Sequence, residues 1–295
     1  MTPRKRSKFK HFLGETIEVF NKNKTSWVGL VILIVMVVIA VLAPLLAPYN
    51  PVEQHILQRL QPSSQTYLLG TDHFGRDILS RIIYGARISL TVGVLSILLG
   101  LIIGGSFGLV AGYKGGWVDN TIMRVMDVFM SFPTLIMGLL IVAVLGASLT
   151  NLIVAIALTV APRFARIARA PTVTVKERDF VEAGRAMGFS DIRIMVVHIL
   201  PNILGEILVM ASLWIATAVR IEASLSFIGL GVKPPIPTWG GMIREGFEFS
   251  LDAPWLSVDP GAVILITVFA FNMLGDGLRD ALVAKLRDYN FVPEC

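Results

Sequence analysis

The chain has 295 residues, of which 54% are hydrophobic and 16% are charged, and its mean hydropathy is +0.71. This composition is far more apolar than that of soluble domains and predicts a membrane protein with several spans. The net charge of +5 does not require nucleic acid as a partner, because membrane proteins retain Lys and Arg in their cytoplasmic segments.

The chain begins with a basic leader, predicted over residues 1–27. The apolar stretch that follows, 28–47, is predicted to be the first transmembrane helix. Its 19 uncharged residues from Val28 to Leu46 exceed the apolar core of a signal peptide, so cleavage is not expected. An extracytoplasmic loop is predicted over residues 48–87.

The second span is predicted between Arg87 and Lys114, where 26 residues carry no charge. A helix of this length extends about 39 Å, more than the roughly 30 Å of a bilayer core. Four glycines in it are spaced four residues apart, and such a stripe allows a neighbouring helix to approach closely. These predicted packing residues are Gly100, Gly104, Gly108 and Gly112.

The core of the bundle is predicted over residues 88–286 and contains five of the spans. The 35 uncharged residues between Asp127 and Arg163 are divided by a polar turn at 146–151, which indicates two spans. A fifth span is predicted over 203–227 and a sixth over 260–282. The predicted fold is therefore all-α, with six transmembrane helices and a short tail over 287–295.

Basic residues predict the orientation of these spans. The segment 163–200 carries seven Lys and Arg residues, whereas the loop 228–259 carries two. Together with the leader, this bias places both termini in the cytoplasm. The loop 48–87 fits less well, since it holds four arginines. The only cysteine, Cys295, excludes an intrachain disulfide.

Two patterns suggest other functions. Residues 104–108 match the G-x-S-x-G nucleophile elbow around Ser106, but they lie within a predicted helix and all four histidines lie outside the spans. A packing face is therefore favoured over an intramembrane hydrolase. Arg163, Arg166 and Arg169 recur every third residue, as in voltage sensors, yet they occur where the cytoplasmic bias already predicts arginine.

Motifs for nucleotide or metal binding do not occur in the sequence. The chain has no phosphate-binding loop, no H-E-x-x-H and no paired C-x-x-C, so neither ATP hydrolysis nor a metal site is expected in it. Asp72 and His73 are adjacent in the predicted outer loop and suggest a metal or a proton relay. A structural role is favoured for this pair.

Three charged residues, Glu206, Arg220 and Glu222, lie within the fifth span, and the last two are the candidate functional residues. A charge near the bilayer centre costs roughly 2.5 to 3.5 kcal/mol, so Arg220 is not expected to face lipid. The two side chains point to nearly opposite sides of the helix and do not form a simple pair. Lining of a pathway and contact in the bundle interior remain alternatives for both.

The cytoplasmic segment of about residues 175–202 is predicted to form two short helices joined at Gly188. Ser190 is placed to cap the second helix and Pro201 to end it. In the first helix, Phe180, Gly184 and Met187 recur at i, i+4 and i+7. Such a helix pair fits the groove of another protein, and an amphipathic loop on the membrane surface is the alternative.

This segment resembles the coupling motif of binding-protein-dependent ABC importer permeases. The residues that carry the resemblance are Glu182, Ala183, Gly184, Gly188, Leu200 and Pro201. Further stretches at 70–81, 224–240 and 271–280 are similar to the peptide and nickel branch, most of all to the second permease subunit of dipeptide or oligopeptide importers.

The resemblance implies a six-helix type I importer permease in the prokaryotic cytoplasmic membrane. It also implies three kinds of partner: a related permease, two ATPase subunits that bind ATP and Mg, and an extracytoplasmic binding protein. Peptides are the implied substrate, while nickel, glutathione and opines are alternatives. A more remote alternative is an ATP-independent channel or secondary transporter that uses Arg220 and Glu222.

Overall fold

A computed structural model describes the backbone of residues 24–289 and the side chains of residues 24–282. Most of the basic leader and Cys295 lie outside the described residues. Within the described range the regular structure consists of eleven α-helices, one 3-10 turn and one π-helical segment, with no strand. The prediction of an all-α fold is confirmed.

The first span is helix α1, Lys24–Val41, and it is followed by the short helix α2, Ala43–Leu46. Pro44 occupies the first turn of α2, where its missing N–H removes no helical hydrogen bond. The outer loop then contains only a 3-10 turn, Ile56–Gln58. This region agrees with the predicted first span at 28–47.

The second span is helix α3, Ile78–Lys114, and it begins ten residues before the predicted loop boundary. Asp77 caps it by accepting a hydrogen bond of 2.8 Å from the Ser80 N–H. The loop therefore ends at residue 77, and the predicted end at 87 is wrong. Charge was a misleading signal, because Arg81 is buried in an ion-pair network rather than exposed in a loop.

The predicted third span is broken. Helices α4, Gly116–Ser131, and α5, Thr134–Leu145, meet at an angle of 93°. Pro133 lies at the break, where its fixed φ and missing N–H prevent a continuous helix. Because α5 is only about 18 Å long, it cannot cross a bilayer alone. Among the described residues, five helices are long and apolar enough to cross a membrane, or up to six if the bent pair forms one span.

Helix α6, Leu149–Val175, follows the predicted polar turn. Gly146 has a φ of +85°, and the Ser148 hydroxyl accepts a 3.1 Å hydrogen bond from the Asn151 N–H at the helix start. The turn was predicted correctly. The helix continues past Pro162 and Arg163 for three more turns, so it extends well beyond the predicted end.

The segment predicted to be cytoplasmic contains helix α7, Asp179–Ala186, and helix α8, Asp191–Arg193. A π-helical segment, Ile194–Ile199, joins α8 without interruption to the fifth span, helix α9, Leu200–Ile228. The prediction that Pro201 ends a helix is wrong. The wider π turn accommodates the proline, since the Leu200 N–H donates to the carbonyl five residues earlier, on Met195.

The remaining helices are α10, Trp239–Phe247, on the outer side, and α11, Trp255–Tyr289, the sixth span. Helix α11 packs on α1 and α9. It starts before the predicted span at 260–282 and continues past residue 286, so the start of the predicted tail, 287–295, is still helical.

The predicted glycine stripe lies between α3 and α6, which form the most extensive helix pair in the described part of the chain. A Cβ on Gly104 would lie 2.0 Å from the Ala161 carbonyl oxygen, and one on Gly108 would lie 2.1 Å from that of Ala165. Gly100 and Gly112 also lie against α6. The two backbones are therefore in direct contact, as the spacing predicts.

Candidate functional site

The centre of the candidate coupling site is helix α7. It packs on the chain through Val181 and Gly184, which are buried one turn apart. Val181 belongs to an apolar cluster with Ile194 and Ile199 of the π segment and with Leu109 of α3. This cluster seats the helix on the inner ends of the spans.

The outward surface of α7 differs in one respect from the prediction. Phe180 and Met187 are exposed, at 44% and 65%. Gly184, predicted on the same face, is buried instead, and a Cβ there would lie 3.4 Å from the Phe189 ring. The smallness of Gly184 therefore serves packing inside the chain. Glu182 and Ala183 are exposed and remain available to a partner.

The turn after α7 is fixed by Gly188, whose φ is +76°. The Phe189 N–H donates to the Gly184 carbonyl at 3.1 Å and the Gly188 N–H to that of Arg185 at 2.9 Å, which is the pattern of a helix ended by a left-handed residue. The hydroxyl of Ser190 then caps α8 at the N–H of Arg193. Both local predictions agree with this geometry.

Aromatic contacts hold the turn against the π segment. The Phe189 ring stacks on the His198 ring with centroids 5.6 Å apart, and the Arg193 guanidinium lies 4.0 Å from the Phe189 centroid. Leu200 and Pro201 follow directly and form the first turn of α9. The predicted motif residues therefore fall into two groups, one on α7 and its turn, the other at the start of a span.

A polar contact links this segment to the second span. The Asp191 carboxylate accepts a hydrogen bond of 2.7 Å from the Tyr113 hydroxyl and forms a 2.5 Å ion pair with Lys114, at the end of α3. Asp191 also lies in the first turn of α8, where a carboxylate suits the positive end of the helix dipole. Its contact with α3, 77 residues earlier, has no local sequence signal.

Arg220 and Glu222 of the fifth span have different surroundings. Glu222 is completely buried and accepts a 2.7 Å hydrogen bond from Ser226, so it belongs to the bundle interior. Arg220 is exposed on the surface of the chain and donates to the Thr217 hydroxyl at 3.0 Å. Arg220 therefore lies outside the interior of this chain's own bundle, and the predicted separation of the two side chains is observed.

The outer face holds a buried ionic network that joins the loop before α3 to α10. Glu245 accepts hydrogen bonds from Arg76 at 2.6 Å and from Arg81 at 2.9 Å. Arg76 also binds Asp72 at 2.6 Å, and both arginines are at most 3% exposed. The charges of two guanidinium groups thus balance those of two carboxylates, and the ion pairs join parts of the chain that are far apart in sequence.

Asp72, His73 and Glu245 place possible metal ligands within 4.8 Å of one another. The same two carboxylates already bind Arg76 and Arg81. A divalent cation would have to displace these hydrogen bonds and would lie beside two positive charges, so the residues fit an ion-pair network better than a metal site. The His73 ring stacks on Phe249 at 5.3 Å.

The three regularly spaced arginines of α6 bind the bent pair α4 and α5. Arg169 donates to both oxygens of Asp119, Arg166 donates to Asp127, and Arg163 donates to the Thr134 hydroxyl at 3.0 Å. These arginines are therefore paired within the chain, which explains their spacing without a voltage sensor. Two aspartates eight residues apart on one helix were the sequence signal for this arrangement.

A cavity of about 390 Å³ opens between α4 and α6 at these ion pairs. The residues that line it are Asp119, Asn120, Met123, Asp127, Arg166 and Arg169. On the opposite side of α4, large apolar residues such as Val128 and Phe129 are exposed. The helix thus separates a polar cavity from an apolar surface.

Comparison with protein-family models gives two matches. Residues 96–288 match the family described as binding-protein-dependent transport system inner membrane component. Residues 12–62 match the N-terminal TM domain of oligopeptide transport permease C. Together they include the glycine stripe, the coupling segment and the residues Arg220 and Glu222 of α9.

Curated relatives are similar over almost the whole chain. The dipeptide transport system permease protein DppC of Alkalihalophilus pseudofirmus is 43% identical, with 92% of this chain and 90% of the relative covered. The protein of the same name from Escherichia coli is 44% identical, covering 93% and 94%. The glutathione transport system permease protein GsiD of Pectobacterium atrosepticum is 43% identical, covering 88% and 86%.

Solved structures show the same fold at low sequence identity. The chain matches an inward-facing conformation of the MetNI methionine ABC transporter with a TM-score of 0.56 and 20% identity. The match covers 69% of this chain and 97% of the other. The helical bundle is thus that of an ABC importer permease.

Proposed function

Because the chain belongs to the family of inner membrane components of binding-protein-dependent transport systems, we propose that it is one of two permease subunits of an ATP-driven importer of short peptides. The observation that carries the proposal is the similarity of 92% of the chain to a permease named for dipeptide transport. The subunit itself has no catalytic role. ATP and Mg bind to two partner ATPase subunits.

The geometry of the coupling segment supports this assignment. Helix α7 presents Phe180, Glu182, Ala183 and Met187 outward, while its inner side is seated on α3 and α9. A partner that binds the exposed side of α7 can therefore move the ends of two spans together. We assign the ATPase contact to this surface, with Glu182 as its charged anchor and Gly188 as the turn that shapes it.

The remaining partners follow from the family. A related permease subunit completes the pathway, and an extracytoplasmic binding protein delivers the substrate. Both termini lie in the cytoplasm. The exposed Arg220 faces the partner subunit or water between the two subunits, because exposure to lipid at that depth is costly.

Glutathione is the second candidate substrate, since a permease named for its transport is 43% identical to this chain. Uptake by the reconstituted complex in liposomes distinguishes the candidates. Labelled dipeptide, glutathione, nickel ion and an opine are offered in turn, with and without ATP. Saturable ATP-dependent uptake of dipeptide is expected. Uptake without ATP would instead support a channel or secondary transporter.

A further inference from the structure

The cavity between α4 and α6 has the size and chemistry of a small-molecule site. Its volume of about 390 Å³ lies within the range of roughly 300 to 1,000 Å³ that ligand pockets occupy. Its lining contains two carboxylates and two guanidinium groups, so the site is neutral overall while carrying both signs of charge.

The cavity lies toward the end of α6 that leads into the coupling segment. Arg166 lies nine residues before the end of α6, about 14 Å along the helix axis, and Asp127 belongs to the bent pair. Both side chains are about half exposed, at 51% and 49%. The two charged groups are therefore accessible to a ligand.

The two ion pairs in the cavity differ in strength. Arg169 makes two hydrogen bonds to Asp119, whose side chain is only 12% exposed, so this pair is fixed. Arg166 makes one hydrogen bond to Asp127, and both side chains are solvated. An ion pair of the second kind contributes little and exchanges partners readily.

We propose that Asp127 and Arg166 form a transient binding site for short peptides with free termini, at the end of the bundle that carries the coupling segment. The Asp127 carboxylate accepts hydrogen bonds from the peptide ammonium group, and Arg166 binds the peptide carboxylate. This inference rests on the proposed function, because it assigns where the imported peptide is held. Asp119 and Arg169 position the two groups, and their own ion pair stays closed when a peptide binds.

The exchange is balanced in charge. When a peptide enters, one ion pair within the chain opens and two pairs with the zwitterion form, so no uncompensated charge is created. The planar guanidinium of Arg166 can bind a carboxylate through two parallel hydrogen bonds, whereas in the empty site it makes one to Asp127. When the peptide leaves, the internal pair forms again.

The test uses the complete complex in liposomes with a labelled dipeptide. Asp127→Asn and Arg166→Gln are expected to lower the number of peptides imported per ATP hydrolysed by about tenfold, since a hydrogen bond to a charged group is worth a factor of that order. Arg124→Gln is the matched control, because Arg124 is an exposed arginine on α4 that does not line the cavity. Assembly is measured by copurification.

A second readout locates the peptide directly. A dipeptide with a photoreactive diazirine side chain is expected to label α4 or α6 in the parental complex, and Arg166→Gln should abolish this labelling. Excess unlabelled dipeptide should compete. Labelling that persists in Arg166→Gln, or that excess dipeptide does not reduce, would overturn the site.

The outcomes separate this inference from the proposed function. If the parental complex imports dipeptides and both variants import them at the parental ratio to ATP, the site is wrong and the function stands. If the variants lose uptake only in proportion to lost complex, the ion pair is structural and the site is again wrong. If the parental complex imports no peptide, both proposals fail.

Discussion

Lys114, the last residue of α3, forms an ion pair of 2.5 Å with Asp191, the first residue of α8. The same carboxylate binds the Tyr113 hydroxyl. These polar contacts attach the second span to the coupling segment in addition to the apolar cluster of Leu109 and Val181, so we expect movement of α7 and α8 to reach α3 as well as α9.

Asp191→Asn tests this attachment. The substitution removes the charge but keeps a hydrogen-bond acceptor, so α7 should still bind the ATPase while α3 follows its movement poorly. We expect uptake to fall severalfold while ATP hydrolysis stimulated by the binding protein is retained. Glu177→Gln is the control, because Glu177 is 71% exposed and its carboxylate lies 3.9 Å from the Lys176 ammonium group. Equal uptake in Asp191→Asn and the control would contradict the attachment.

Substitutions at Gly188 distinguish the effect of backbone conformation from the effect of side-chain bulk at the partner contact. A Cβ there would meet no atom of the chain within 4 Å, so the cost of a side chain arises from its φ of +76° or from the docked partner. Gly188→Val should insert normally but abolish most uptake, because a β-branched residue disfavours this conformation. Gly188→Asn, which tolerates it, should retain more activity.

The measurement for this pair is uptake and copurification of the ATPase subunits. Similar losses in Val and Asn variants would mean that bulk at the ATPase contact, rather than backbone strain, is responsible. Parental uptake in Gly188→Val with an intact complex would refute the coupling role of this turn.

Gly104→Ala should destabilise the bundle. Its methyl group would lie 2.0 Å from a backbone oxygen of α6, and relieving that overlap requires the two helices to separate, at a cost of about 1 to 3 kcal/mol or more. Gly105→Ala is a matched control one residue away, where the nearest atom is 3.9 Å distant. Thermal unfolding in detergent should show a lower midpoint for Gly104→Ala only.

The stability of the outer face should depend on His73. Burial lowers the pKa of the His73 imidazole below its usual 6.5, and the positive charges of Arg76 and Arg81 act in the same direction, while Asp72 and Glu245 oppose it. Below pH 6.5 the unfolded chain therefore takes up a proton that the folded chain does not. Stability is lost as the pH falls from 6.5 through the lowered pKa.

This dependence is measured by thermal unfolding at about pH 7.5 and about pH 5.5. His73→Gln should reduce the difference between the two midpoints, because it removes the titrating group. An undiminished difference in His73→Gln would assign the acid sensitivity to other groups.

Cys295 reports the orientation of the carboxyl terminus. In intact spheroplasts a membrane-impermeant thiol reagent should leave it unlabelled, and permeabilisation should permit labelling, because the terminus is predicted to be cytoplasmic. No other thiol in the sequence competes for the reagent. Labelling before permeabilisation would reverse the proposed topology.

The features that the sequence predicted well have local causes. The glycine stripe, the turn at Gly188 and the cap at Ser190 each depend on residues within one or two helical turns. The break at Pro133 also has a local signal, the proline itself. The part of the charge-free stretch before the turn at 146–151 nevertheless suggested one straight third span. A hydropathy profile indicates whether an apolar stretch is long enough to cross a bilayer. It does not detect a proline that divides the stretch into two short helices.

The remaining features depend on contacts between distant parts of the chain. Arg81 looked like a loop residue because its partner Glu245 lies 164 residues away, and Asp191 looked like an ordinary helix-start residue because Lys114 lies 77 residues earlier. Periodicity cannot identify such pairs. Charged residues whose partners are far apart were therefore assigned to solvent or left without a role.

The network around Glu245 also constrains how the chain is made. Arg76 is synthesised 169 residues before Glu245, a delay of roughly ten to thirty seconds at usual rates of elongation. During that interval both buried arginines, Arg76 of the loop and Arg81 of α3, lack their common carboxylate. This face therefore closes only after α10 has been synthesised, and a chain that ends before α10 leaves it incomplete.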